Sequence, residues 1–236
     1  MRNGVLCGGL KGVALCVAIA GSVASAQAAG PEVALALRAG TPGIGGDLDV
    51  SLMDRWLNAR VGYSAFDYNR DVNSSDATYH GKLKLSMGTG VLDWYVFGGG
   101  FHLTAGVVAN QTKVDVTGVP SAGVITVNNT QYTSAQLGSV SGQMKFGHST
   151  EPYVGLGWGN PVGTNHRVHF LFDLGAIYGG TPNVTLTAQC GPAAPQGSQL
   201  CNQAQADVLA EQQKLANNAS LIKWYPIVNF GVAVRL

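Results

Sequence analysis

Apolar side chains recur at every second residue over most of this 236-residue chain, in runs longer than an ordinary strand requires. Between Arg167 and Gln189 the even positions carry Val168, Phe170, Phe172, Leu174, Ala176 and Tyr178, then Val184, Leu186 and Ala188. The odd positions carry Arg167, His169, Asp173, Thr181, Asn183, Thr185, Thr187 and Gln189. A soluble sandwich needs strands of only about 5–6 residues. A ribbon this long, wet on one face and oily on the other, suits a strand that crosses a bilayer at a tilt and continues beyond it.

The same alternation predicts eight strands, at about 33–40, 44–52, 56–69, 77–95, 101–117, 139–159, 167–189 and 219–236. In the fourth, Leu83, Leu85 and Met87 are set against His80, Lys82, Lys84 and Ser86, which places the lysines on the wet face. Parity slips near Asp93-Trp94 and Asn110-Gln111, as at bulges or membrane edges. Pro152 and Pro226 each delete a ladder donor inside a strand. Connections at Met53–Arg55, Gly98–Gly100 and Asn160–His166 are short, whereas Arg70–Asp76, Thr117–Gly138 and Cys190–Asn218 are long or polar. Short turns on one rim and long loops on the other predict an all-β fold: an eight-stranded antiparallel transmembrane β-barrel with short periplasmic turns, longer extracellular loops and both termini periplasmic. Gly40–Gly43 must then serve as the first, very short outer loop; without it the count falls to seven. Asn202–Asn217, in the last outer loop, has Val208, Leu209 and Leu215 near helical spacing, which fits either a short helix or a mobile surface loop.

The N-terminus supplies the export route. Arg2 and Lys11 precede an apolar run at Gly12–Val23, followed by small-x-small sites at Ala24–Ala26 and Ala26–Ala28. This is a cleavable signal peptide over residues 1–28, leaving 29–236 as a single barrel domain. Charged residues make up only 11% of the chain, against about 25% in soluble proteins, and no later apolar run could span as a helix. Formal net charge is +1 with no basic tract, so nucleic acid is not an expected partner. Cys7 and Cys16 leave with the leader. Cys190 and Cys201, close together in a Gly/Pro/Gln-rich loop of an exported chain, read as a disulfide, and no histidine lies near enough to suggest a metal.

The chain ends Val232-Ala233-Val234-Arg235-Leu236, which resembles the final strand read by the outer-membrane assembly machinery, with Leu in place of the usual Phe. With the leader and the eight strands, the mature chain resembles the small proteobacterial outer-membrane barrels of the OmpA/OmpW type. That likeness implies a monomer in contact with outer-membrane lipid and lipopolysaccharide, and the OmpW side of it implies a narrow pore or carrier for small or apolar solutes. An eight-stranded barrel has an interior that side chains can fill. The expected inward charges form a lumen network of Arg60, Lys84, Glu151 and Asp173, with the two carboxylates at similar heights and the two cations as counter-ions. No catalytic, cofactor or metal site is expected. His148 and Ser149 are adjacent and so face opposite sides of a strand, and His166 and His169 differ in parity. The expected role is structural or surface-interacting with a plugged polar lumen; the alternative is a narrow channel or carrier, and a lipid-modifying enzyme is a distant third.

Overall fold

The computed structural model describes residues 32–53, 55–74, 77–120, 124–146, 149–162, 166–220 and 223–236; the leader, its cleavage site and His148 lie outside them. The described residues form β1 (Val33–Gly40), β2 (Gly43–Met53), β3 (Leu57–Asn73), β4 (Ala77–Trp94), β5 (Phe101–Asn110), β6 (Lys113–Pro120), β7 (Val124–Val127), β8 (Thr130–Thr133), β9 (Leu137–Lys145), β10 (Glu151–Trp158), β11 (Val168–Tyr178), β12 (Asn183–Cys190), α1 (Gln199–Ala219) and β13 (Trp224–Arg235). Eight of the strands close a ring, β1-β2-β3-β4-β5-β10-β11-β13 and back to β1, with every neighbour antiparallel. The barrel is shown, and with it the Gly40–Gly43 turn. Gly40 pairs with Gly43, and the backbone N–H of Thr41 donates to the Val228 carbonyl at 3.0 Å.

That turn also explains Pro226. The N–H of Val228 donates to Thr41 Oγ1 at 3.1 Å, so Pro226, two residues earlier, points the same way but past the end of β1. No ladder donor is lost there.

Three of the expected long strands are each two strands. Segments 101–117, 139–159 and 167–189 run as β5 then β6, β9 then β10, and β11 then β12. One half of each lies in the ring. The other half joins an outward extension in which the upper part of β4 pairs with β6, β6 with β9 and β9 with β12. Along β4 the ribbon does not break, since Met87 pairs with Asn110 and Lys84 with Lys113 in one register. Between β9 and β10 it does: Lys145 pairs with Lys113 but Glu151 with Val108, so the β9–β10 side runs one residue longer than the β5–β6 side and parity flips.

What inverts along these ribbons is polarity. The β3–β4 register holds unbroken from Leu57↔Trp94 to Asn73↔Thr78, so the even residues of β4 keep one face throughout. Near the ring's short turns that outward face carries Trp94 and Leu92, about half exposed, while Asp93, Val91 and Met87 are buried inside. Higher up, the outward face becomes Lys84, Lys82 and His80, all exposed, and Leu85 is buried inward. Lys84 is therefore not a lumen residue. Its face meets lipid lower down and water above, so a wet side chain there points out rather than in. The lipid band itself fits: Val168 to Tyr178 spans about 33 Å at 3.3 Å per residue, or roughly 25 Å of height at a 35–45° tilt. Exposed Trp56, Trp94, Phe97 and Trp158 ring its lower margin, and the Tyr178–Trp224 pair marks the upper one.

The last loop is ordered. Cys190 and Cys201 are bonded, with Cα atoms 5.7 Å apart, which ties the start of α1 to the end of β12. Ser198 caps the helix, accepting from the Cys201 N–H at 3.2 Å. Closing so short a loop contributes roughly 3 kcal/mol in the chain-entropy model. Because the bridge lies outside the ring, Cys190→Ser with Cys201→Ser should leave the heat-modifiable gel shift intact while α1 becomes more protease-sensitive; loss of the gel shift would show that the barrel itself depends on the bridge.

Candidate functional site

Alternation turns one face of every ring strand inward, and near the short turns that face is charged. Arg38 of β1, Asp47 and Asp49 of β2, Arg60 of β3, Asp93 of β4, His102 of β5 and Asp173 of β11 are all buried or nearly so. The Arg38 guanidinium pairs with both Asp47 and Asp173. Arg60 Nη2 lies 3.0 Å from Asp93 Oδ1 and 3.4 Å from Asp173 Oδ1. His102 Nε2 lies 3.2 Å from Asp173 Oδ1, and the Thr104 hydroxyl donates to Asp93 Oδ1 at 2.6 Å. Asp49, fully buried, makes no hydrogen bond among the described residues. Four carboxylates thus stand against two guanidiniums in this layer.

Of the four residues expected in a lumen network, Arg60 and Asp173 meet here. Lys84 faces out, and Arg38 takes its place. Glu151 is buried too, but at a different height. Asp173 pairs with Gly157, six residues along β10 from Glu151, or about 20 Å at 3.3 Å per residue. Glu151 Oε2 instead accepts from Asn110 Nδ2 at 2.9 Å, near the base of the extension. Counting heights from the turns failed because β11 starts at Val168 but meets the end of β10 only at Phe172, which pairs with Trp158, so the ladder is offset from the turn. Asp93, the strongest partner of Arg60, sits beside Trp94, where the reading placed a slip; with an unbroken register its odd parity points straight inward.

Between the ionic layer and Glu151 lies an apolar one, made of Met87, Val91, Val108, Tyr153, Ile177 and Ile227. Tyr153 lies along the lumen wall over Gly155 and Gly175 of the neighbouring strands β10 and β11. A Cβ on Gly175 would stand 2.4 Å from its hydroxyl, so a larger residue there would displace the ring. The lumen cavity bordered by these two layers has a volume of about 40 Å³, little more than one water's share of liquid volume, which is about 30 Å³.

A second concavity sits above the ring. Its floor is the inward face of the extension, apolar here, with Val114 and Val116 of β6, Val140 and Met144 of β9, and Val184 and Leu186 of β12. One side wall is α1 through Val208 and Leu215, and the other is the β7–β8 hairpin through Ile125 and Val127. The groove encloses about 740 Å³. Its walls are fastened by polar contacts. Gln212 of α1 accepts from the Leu186 N–H at 2.8 Å, occupying the open edge of β12. Asp207 accepts from the Tyr132 hydroxyl at 2.5 Å and from Asn128 Nδ2 at 3.2 Å, which joins helix to hairpin. Those donors hold the Asp207 carboxyl below the ordinary aspartate range, while burial and the adjacent carboxylate push the Tyr132 hydroxyl up to about 12. The contact therefore persists at neutral pH and is lost only as pH falls through the lowered Asp207 value. Sequence reasoning missed the groove, because its three walls come from segments with no common pattern.

No protein-family model matches the chain, and no curated protein does. Among solved structures, Acinetobacter baumannii CarO2 is 18% identical over 87% of this chain and 98% of that one, with a TM-score of 0.59. Acinetobacter baumannii CarO is 23% identical over 86% of this chain and 97% of that one, also at 0.59. The likeness at these identities is one of fold. Fold, apolar belt and aromatic margins together define a small β-barrel of the outer-membrane type.

Proposed function

We propose that this protein works in the outer membrane as a monomeric barrel of the OmpA/OmpW type, with a plugged lumen and a surface-interaction role carried by the outward extension. The observation that carries this reading is the stacking of two lumen layers, one ionic and one apolar, with about 40 Å³ of space beside them. An ion crossing the barrel would have to part Arg38 and Arg60 from their carboxylates and then shed its water against Met87, Val108 and Tyr153. The belt implies contact with lipid and lipopolysaccharide, and β13 presents the closing strand to the assembly machinery. We propose no enzymatic activity for it: in the lumen the Thr104 hydroxyl and His102 are each engaged with a carboxylate of the ionic layer.

Planar-bilayer recordings test the plug. Purified protein should give no steady conductance step at neutral pH. Reproducible single-channel openings in the unmodified protein would overturn it in favour of a narrow channel.

A further inference from the structure

The groove above the ring points to a binding site, and we propose that it takes a neutral, largely hydrocarbon molecule with one hydroxyl or carbonyl at its end. This deepens the surface-interaction reading by naming a ligand class. The first support is exposure without lipid. Tyr79, Val116 and Leu215 are 40–44% exposed, although they line a concavity above the aromatic margin of the belt. Apolar surface gathered in a concavity outside the bilayer marks a binding site far more often than chance.

Size selects a small molecule. A sphere of 740 Å³ has about 400 Å² of surface, half of what each side of a stable protein interface buries. At about 30 Å³ per water-sized group the same volume holds at most roughly 25 heavy atoms.

Charge selects a neutral one. Among the described residues Glu211 is the one carboxyl lining the groove, and Lys214 Nζ lies 3.6 Å from it, so neither sign of head group finds an unmatched partner there. The other polar side chains at the walls are uncharged, and the amides of Asn129 and Asn218 and the hydroxyls of Thr126 and Tyr79 can donate to or accept from an alcohol or carbonyl.

The test uses the full mature barrel in phosphatidylcholine nanodiscs, with the neutral fluorophore N-phenyl-1-naphthylamine as reporter and empty nanodiscs as background. The reporter should bind above background, 1-dodecanol should displace it, and dodecanoate at pH 8 should displace it at least tenfold more weakly. Val116→Trp, which fills the floor, and Leu215→Glu, which charges the wall, should each weaken binding at least tenfold. Thr185→Trp, on the opposite face of the extension, should not. No signal above empty nanodiscs, equal displacement by the carboxylate, or binding indifferent to both groove variants would overturn the proposal. The alcohol–carboxylate comparison on unmodified protein decides it even where a variant fails to fold. Conductance is recorded on the same preparation, so a failed groove and a failed plug give separate signals.

Discussion

Arg60→Ala should destabilise the barrel by about 3–5 kcal/mol, the usual cost of removing one partner from a buried ion pair. The cost lies near the top of that range because the ionic layer already has carboxylates in excess. Without Arg60, Asp93 keeps only the Thr104 hydroxyl, and Asp47 and Asp173 share Arg38 as their one guanidinium, with His102 beside Asp173. The same bookkeeping makes Asp173→Ala milder, since Arg38 retains Asp47, Arg60 retains Asp93, and one surplus carboxylate is gone. Urea unfolding in lipid vesicles, or the temperature at which the heat-modified band appears, should rank the two in that order. Equal, small losses would mean that water reaches these charges and that the ionic layer is no plug.

Leu174→Arg should cost about 2–4 kcal/mol, the penalty for a cation near the midplane on the lipid face of a barrel. Leu174 is 44% exposed, outward on β11, and pairs with Leu156 on one side and Val228 on the other. Thr187→Arg, also outward but on β12 in the extension, should change stability by no more than about 0.5 kcal/mol. The pair measures where the bilayer stops. A comparable loss at Thr187 would put β12 in lipid and remove the polarity inversion on which the placement of Lys84 rests.

How much of this was legible in the sequence follows from what alternation encodes. Period two fixes which residues share a face, and over Val168–Tyr178 that alone placed Phe170, Phe172 and Leu174 outward and Asp173 inward. It does not say which medium a face meets. Below the upper margin the apolar face meets lipid; above it the apolar face turns to the groove and the polar one to water. Leu83, Leu85 and Met87 were accordingly set outward and Lys84 inward, the reverse of their positions. The pairing of Cys190 with Cys201 could be read because it needed only proximity and an oxidising compartment. The partners of Arg60 could not, because the height of Glu151 against Asp173 depends on how far β11 runs past the end of β10, which periodicity does not encode. The helix stood even with a mobile loop, and what settles it is tertiary: the disulfide, the Gln212 contact to the edge of β12 and the Asp207 contact to the hairpin.

The position of α1 in the chain has a consequence for the order of assembly. The helix lies between β12 and β13, and β13 forms one side of the seam with β1, from Ala34↔Arg235 to Gly40↔Asn229. An eight-stranded interior filled with side chains leaves no passage for a helix about 10–12 Å across. The 21-residue α1 segment must therefore reach the outer side while the ring is still open, and β13 can zip to β1 only afterwards. If Cys190 and Cys201 oxidise in the periplasm, the segment makes that crossing as a cross-linked loop. A cross-linked loop needs a wider passage than a single extended strand, so the bridge and the β1–β13 ladder compete in the order of assembly.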